Sequence, residues 1–328
     1  MIFCPTHLPE YDIYDIFHND VNSIVIICVC NKNFFIHLVE NGEKHFFEKH
    51  TCSHGHTTIY VCKNKNFTET VDICINDILI KDLKVNKYPS FQNEIIMSTI
   101  VKNVDQYIVQ WIEYNKLLGI KRFIIYDNCK NNKENSFYPS KYNESNLIEK
   151  LKDYISEKVV VLIDWSYSNR LQQTQQNHSI YTFQKSKLIG FFDIDEYLNP
   201  QKGNNNIESI LDNILVNVTN LNDIGGFSVL CKYFYNPLWF SEDGYDFLKI
   251  YNCRDIIYPN ITKKMFINPR NVKTISVHLI TLGVETILLN ASELYFNHYF
   301  YLGKNGRGRE DFGGHDDSIQ RIAALLNN

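Results

Sequence analysis

The sequence lacks any apolar run long enough to cross a bilayer. Its longest early stretch, residues 24–30, is flanked by polar and charged side chains and falls well short of the roughly 20 residues that a spanning helix needs. Neither a signal peptide nor a membrane anchor is recognisable, so the expectation is a cytoplasmic protein with no membrane span. No C-x-x-C pair occurs among the nine cysteines, which are scattered from Cys4 to Cys253, and an odd count fits neither a zinc ribbon nor a disulfide framework. Reduced thiols are expected. A basic field is also missing: 33 Lys and Arg against 37 Asp and Glu leave a formal charge of -4 over 328 residues, which argues against a protein whose task is gripping nucleic acid. N-x-S/T triplets at Asn66, Asn217 and Asn260 are what an Asn-rich chain produces by chance.

What is present is an ordinary globular composition in a chain long enough for two domains of unequal size. Residues 22–83 show short apolar bursts (24–30, 34–39, 58–62, 71–79) separated by Asn, Lys, Gly and His, the texture of short strands. Lys87-Tyr88-Pro89-Ser90 breaks the pattern, because Pro has no ladder donor and restrains its predecessor. A small β-rich domain over 1–90 and a second domain over 91–328 are therefore expected.

Beyond the break, strands and helices alternate. A strand over 95–101 leads to a helix over 104–118, where Tyr107, Ile108, Trp111, Ile112, Asn115 and Leu118 keep helical spacing and Gly119 sits at the C-terminal cap position. A strand over 123–126, a helix over 145–157 and a strand over 159–163 follow. This order predicts an α/β fold with a mostly parallel sheet and right-handed crossovers, with ligands at the carboxyl ends of its strands.

The sharpest chemical feature is Phe192-Asp193-Ile194-Asp195-Glu196, where an apolar strand runs into three carboxylates. On an extended chain Asp193 and Asp195 face the same side, and oxygen ligands at a strand end suit manganese or magnesium bridging a diphosphate. The alternative is a strand end followed by an acidic cap. Asp127 also ends a parallel strand and falls on the same rim; it either accepts hydrogen bonds from a uracil or ribose, or forms a turn.

Several segments together resemble glycosyltransferase family 92. They are Ser98-Thr99-Ile100-Val101-Lys102-Asn103, Trp111-Ile112-Glu113-Tyr114-Asn115, Phe123-Ile124-Ile125-Tyr126-Asp127-Asn128, the stretch 172–178, Phe192-Asp193-Ile194-Asp195-Glu196-Tyr197-Leu198, the stretch 264–272, Val277-His278 and Asn297-His298-Tyr299. The likeness spans roughly residues 95–305. It implies a GT-A fold, a nucleotide-sugar donor such as a UDP-sugar, a glycan acceptor, a divalent ion at Asp193 and Asp195, and inverting transfer, galactosyl transfer being the best-known activity. By position, Asn103 and Asp127 match nucleotide-side residues. Two positions depart from the family pattern: Val104 stands where Glu is common, and Asn115 where His is usual.

A third metal ligand is expected late in the chain, as in many GT-A enzymes. His298 is the first candidate, with His278 as competitor, and each is otherwise a hydrogen-bonded structural residue. Lys304 can meet the diphosphate, and the glycine-rich tail around it is either a closing loop or a solvated terminus. As general base on the acceptor side Asp243 is chosen, ahead of Glu242 and Asp255. Two other classes compete: a non-catalytic carbohydrate-binding protein, which has no need of Asp127 beside a metal pair, and a metal-dependent phosphohydrolase, which needs more ligands than this rim supplies.

Overall fold

The computed structural model describes residues 1–29, 34–52, 57–102, 107–128, 146–167, 171–203, 205–218, 220–235, 252–253, 263–300 and 314–327. Among these described residues the main element is a 12-stranded mixed sheet. Strands Val160–Asp164, Arg122–Asp127, Ile95–Val101 and Leu188–Phe191 lie side by side in that order and run parallel. Their continuous apolar character follows from being covered on both faces. Phe123 and Ile125 pack with Trp111, Ile112 and Leu151, from helices Ile108–Leu117 and Leu147–Ser156. The alternate residues Ile124 and Tyr126 join a second core with Trp165, Ile180 and Tyr181.

The expected strands and helices of this region are therefore present, with ends shifted by a few residues. Gly119 follows the first helix with φ 89, the left-handed conformation that ends a helix most cheaply at glycine. Beyond Leu188–Phe191 the sheet turns antiparallel, through Lys263–Ile267 to Gly226–Tyr235. Gly226 has φ 133, and a Cβ there would lie 1.9 Å from the carbonyl oxygen of Phe266, so only glycine fits this crossing. Leu294–Phe300 runs parallel to Gly226–Tyr235 and pairs antiparallel with Glu196–Pro200.

The amino-terminal region forms two smaller sheets. One contains Asn86–Lys87, Ile13–His18, Ser23–Val29, Thr57–Lys63 and Glu48–Thr51; the other contains Glu43–Phe46, Ile36–Glu40, Thr70–Ile75 and Ile78–Lys84. The burst at 71–79 is thus two strands, joined through Asn76 and Asp77, both at positive φ as a two-residue hairpin turn requires. Ser23–Val29 has no polar face because it faces two cores: Ile24, Ile26 and Cys28 pack between the two small sheets, while Val25 and Ile27 pack toward the large one.

The break at 87–90 falls between the small sheets and Ile95–Val101 in sequence, yet the second core runs across it, combining Tyr14, Phe17, Val25 and Ile27 with Ile96, Ile124 and Tyr126. Strand Ile2–Phe3 also pairs with Val160–Asp164 at the edge of the large sheet. Helix Leu171–Thr182 lies in this shared layer, and its Thr174, Gln175, Gln176, Asn177, His178, Ser179 and Thr182 are all buried. Thr174 shares a hydrogen bond with Thr57 (3.0 Å), Gln175 donates to Ser98 (2.7 Å), and His178 meets Asp15 (3.0 Å). Most of these polar side chains persist in the core because they find partners there, Gln176 Oε1 being the exception. Cys4, Cys52, Cys62, Cys74 and Cys231 are thiols. Among the described residues no helix is long and apolar enough to cross a membrane.

Candidate functional site

The four parallel strands present their carboxyl ends on one edge, and the acidic segment begins where Leu188–Phe191 stops. The local geometry differs from the extended chain that the sequence suggests. Asp193 to Glu196 form a tight turn, in which the Glu196 amide donates to the Asp193 carbonyl (3.0 Å) and the Asp193 amide donates to the Glu196 carboxylate (2.9 Å). The chain must reverse here because Glu196–Pro200 pairs with Leu294–Phe300 rather than continuing the first strand. Ile194 is buried in the core, as expected for the residue between the two aspartates.

Two residues of helix Ile108–Leu117 hold the outgoing strand. The Trp111 indole donates to the Glu196 carbonyl (3.1 Å) and the Tyr114 hydroxyl to the Leu198 carbonyl (2.6 Å), with both side chains fully buried. The Trp-Ile-Glu-Tyr segment therefore acts on the site through the backbone it bonds.

His298 stands opposite Glu196 across one strand pair and opposite Tyr233 across the other. Its Nε2 lies 3.5 Å from Asp195 Oδ2, and its Nδ1 lies 3.7 Å from Glu196 Oε1. Burial disfavours charge on this imidazole, but Asp195, a hydrogen bond with the Cys231 thiol, and Glu196 outweigh it and hold the pKa well above the usual value. Glu196 is itself pushed up to about 7, chiefly by burial, with Lys264 opposing.

Lys264 is the residue that sequence reasoning did not single out. It is buried, 2.6 Å from Asp193 Oδ2 and 3.2 Å from Glu196 Oε2. Burial opposes its charge, yet the two carboxylates raise its pKa. Gln172 donates to the other Asp193 oxygen at 2.9 Å. Asp193 is held below the usual carboxylate range, with burial acting against Lys264 and His298.

His278 sits in the turn between Val272–Ser276 and Leu279–Gly283, exposed, with Nδ1 bonded to the Lys263 carbonyl (3.0 Å). Partial burial of its ring lowers its pKa. Asp127 ends its strand, buried, opposite Val101 and Asp164. It lies two strands from Leu188–Phe191, about 10 Å by the usual strand spacing. Asn103, Asp243, Glu242, Asp255 and Lys304 lie outside the described residues.

Among the described residues no group of three or more His, Cys, Asp and Glu forms a ready metal cage. The Asp195 and His298 pair nevertheless fits one shared divalent ion. Two ligand atoms at about 2.1 Å from a common centre lie roughly 3.0–3.5 Å apart. Glu196 stands on the far side of the ring, its Oε1 3.7 Å from Nδ1 and so beyond direct hydrogen-bond reach. Manganese and magnesium at phosphate sites take one or two protein ligands and complete their shell with phosphate oxygens and water.

No curated protein matches this chain. The model of glycosyltransferase family 92 matches residues 97–312, a span that begins in Ile95–Val101 and includes the acidic turn, Lys264 and His298. This chain belongs to glycosyltransferase family 92.

Proposed function

We propose that this glycosyltransferase has a GT-A fold and moves a sugar, galactose foremost, from a UDP-sugar to a glycan hydroxyl with inversion, using manganese or magnesium. The observation that carries this reading is the Asp195 and His298 pair beside Asp193, on the strand edge that also bears Asp127. Asp195 and His298 would hold the ion, whose chemistry is to neutralise charge as the diphosphate departs. Asp127 accepts hydrogen bonds from the uracil or ribose, and Asn103 is assigned to the nucleotide by its position in the family pattern. Lys304 supplies a point charge toward the diphosphate. Asp243 takes the proton of the acceptor hydroxyl while that oxygen bonds the anomeric carbon and the bond to the diphosphate breaks.

UDP should raise the melting temperature in the presence of manganese and much less with a chelator. Equal shifts in both conditions would remove the metal bridge from this scheme.

A further inference from the structure

Lys264 lies outside the proposed ion-binding pair, yet it carries a full charge in the interior. Its strand, Lys263–Ile267, runs antiparallel to Leu188–Phe191 with Met265 opposite Phe191, so Lys264 reaches the point where the chain leaves the strand for Asp193. The Lys264 side chain is 4% exposed, and its ammonium touches two carboxylates of very different exposure, Asp193 at 37% and Glu196 at 1%. A buried ammonium is costly unless it is paired, and two pairings through one nitrogen fix both partners. Gln172 completes the arrangement from the start of helix Leu171–Thr182, so each Asp193 oxygen is held by a separate element. Each carboxylate oxygen has two lone-pair sites, so these bonds leave each Asp193 oxygen with acceptor capacity.

We propose that Lys264 is a positioning residue, a resident counter-cation that together with Gln172 sets the Asp193 carboxylate for donor binding before any nucleotide or metal arrives. The inference rests on the donor-site reading given under the proposed function, and it adds that the acidic turn is pre-organised by the protein's own cation. Preorganised groups spare the ordering cost at the moment of binding.

Lys264→Met alone leaves Glu196 buried without its cation and can lose the fold, so the informative protein is Lys264→Met with Glu196→Gln, which removes the buried pair together. In a first arm, crystal structures without ligand compare this double variant with the wild type. Asp193 is expected to leave its position while the backbone of the turn stays. An unmoved Asp193 overturns the proposal regardless of any nucleotide result.

The second arm titrates UDP with manganese into the wild type, the double variant, Lys264→Arg and Asp195→Ala. Binding should weaken about 10- to 100-fold in the double variant, as for residues that orient metal-site ligands, with partial recovery in Lys264→Arg. A double variant that binds as tightly as the wild type sinks the role of Lys264 while the donor site stands. If the wild type itself does not bind, or Asp195→Ala binds equally well, the donor-site reading falls, and the first arm alone decides whether Lys264 positions Asp193.

Discussion

Asp15 and His178, 163 positions apart in sequence, meet at 3.0 Å with neither side chain exposed. Asp15 also accepts from the amides of Thr6 and Ile16 and from Asn86 and Tyr88, and His178 shares a further hydrogen bond with Tyr126 (2.7 Å). The contact ties the amino-terminal sheet to the helix whose first turn carries Gln172.

Replacing Asp15 by Ala leaves several buried donors without an acceptor and should cost about 3–5 kcal/mol. The urea midpoint should fall with little change in slope. By the same reasoning, residues 91–328 expressed without the amino-terminal sheets should not unfold cooperatively, because Ile124, Tyr126 and Trp165 would lose their cover. A soluble 91–328 fragment that binds UDP with manganese would show that the layer is dispensable.

Asp195→Ala and His298→Ala should each weaken manganese-dependent UDP binding by at least about 10-fold, whereas His278→Ala should not. His298 faces Asp195, while His278 is bonded to the Lys263 carbonyl. Melting without ligand should change modestly for His278→Ala, which has little packing to lose. If His278→Ala abolishes the manganese response and His298→Ala preserves it, the ligand assignment is reversed.

Trp111→Phe keeps most of the ring packing but removes the donor to the Glu196 carbonyl. A loss of about 1–3 kcal/mol in stability is expected, the usual range for a buried group left unsatisfied. UDP affinity should fall as well, since that carbonyl belongs to the acidic turn. An affinity equal to wild type, measured by titration calorimetry, would confine Trp111 to packing.

Asp316 gives a pH signature away from the site. Burial would raise its pKa, but Lys232 at 2.6 Å, Ser318 and Tyr295 depress it below the ordinary value of 3.8. A depressed carboxylate stabilises the fold above its unfolded pKa, and that contribution is lost as pH falls through the folded one. Asp316→Asn should therefore melt below the wild type at pH 7, with the gap closing under pH 4. A gap that stays constant across the range would mean the ion pair contributes nothing.

The parallel core of the fold was legible because its strands are continuous apolar runs ending in polar residues, and the helix at Trp111 carries clear periodicity. Strand Ile13–His18 was not, since Asp15 within it reads as solvent-facing until His178 and Tyr88 are brought to it from elsewhere in the chain. Lys264 was hidden for a related reason. A lysine near a strand end signals an exposed face, and only the pairing with Leu188–Phe191 shows that this one points at two carboxylates. His298 and Asp195 could be nominated from sequence, but the turn that closes Asp193 onto Glu196 depends on a partner strand about 100 residues later.

Helix Leu171–Thr182 has a mechanical consequence. Oily layers can slide by fractions of an ångström with little loss, because dispersion forces are insensitive to direction. Hydrogen bonds resist such shear, since their strength falls quickly with misalignment. A layer interface held by Ser98, Thr57, Asp15 and the facing side chains of this helix is thus a keyed joint, and a substitution there must match donor to acceptor as well as volume to volume.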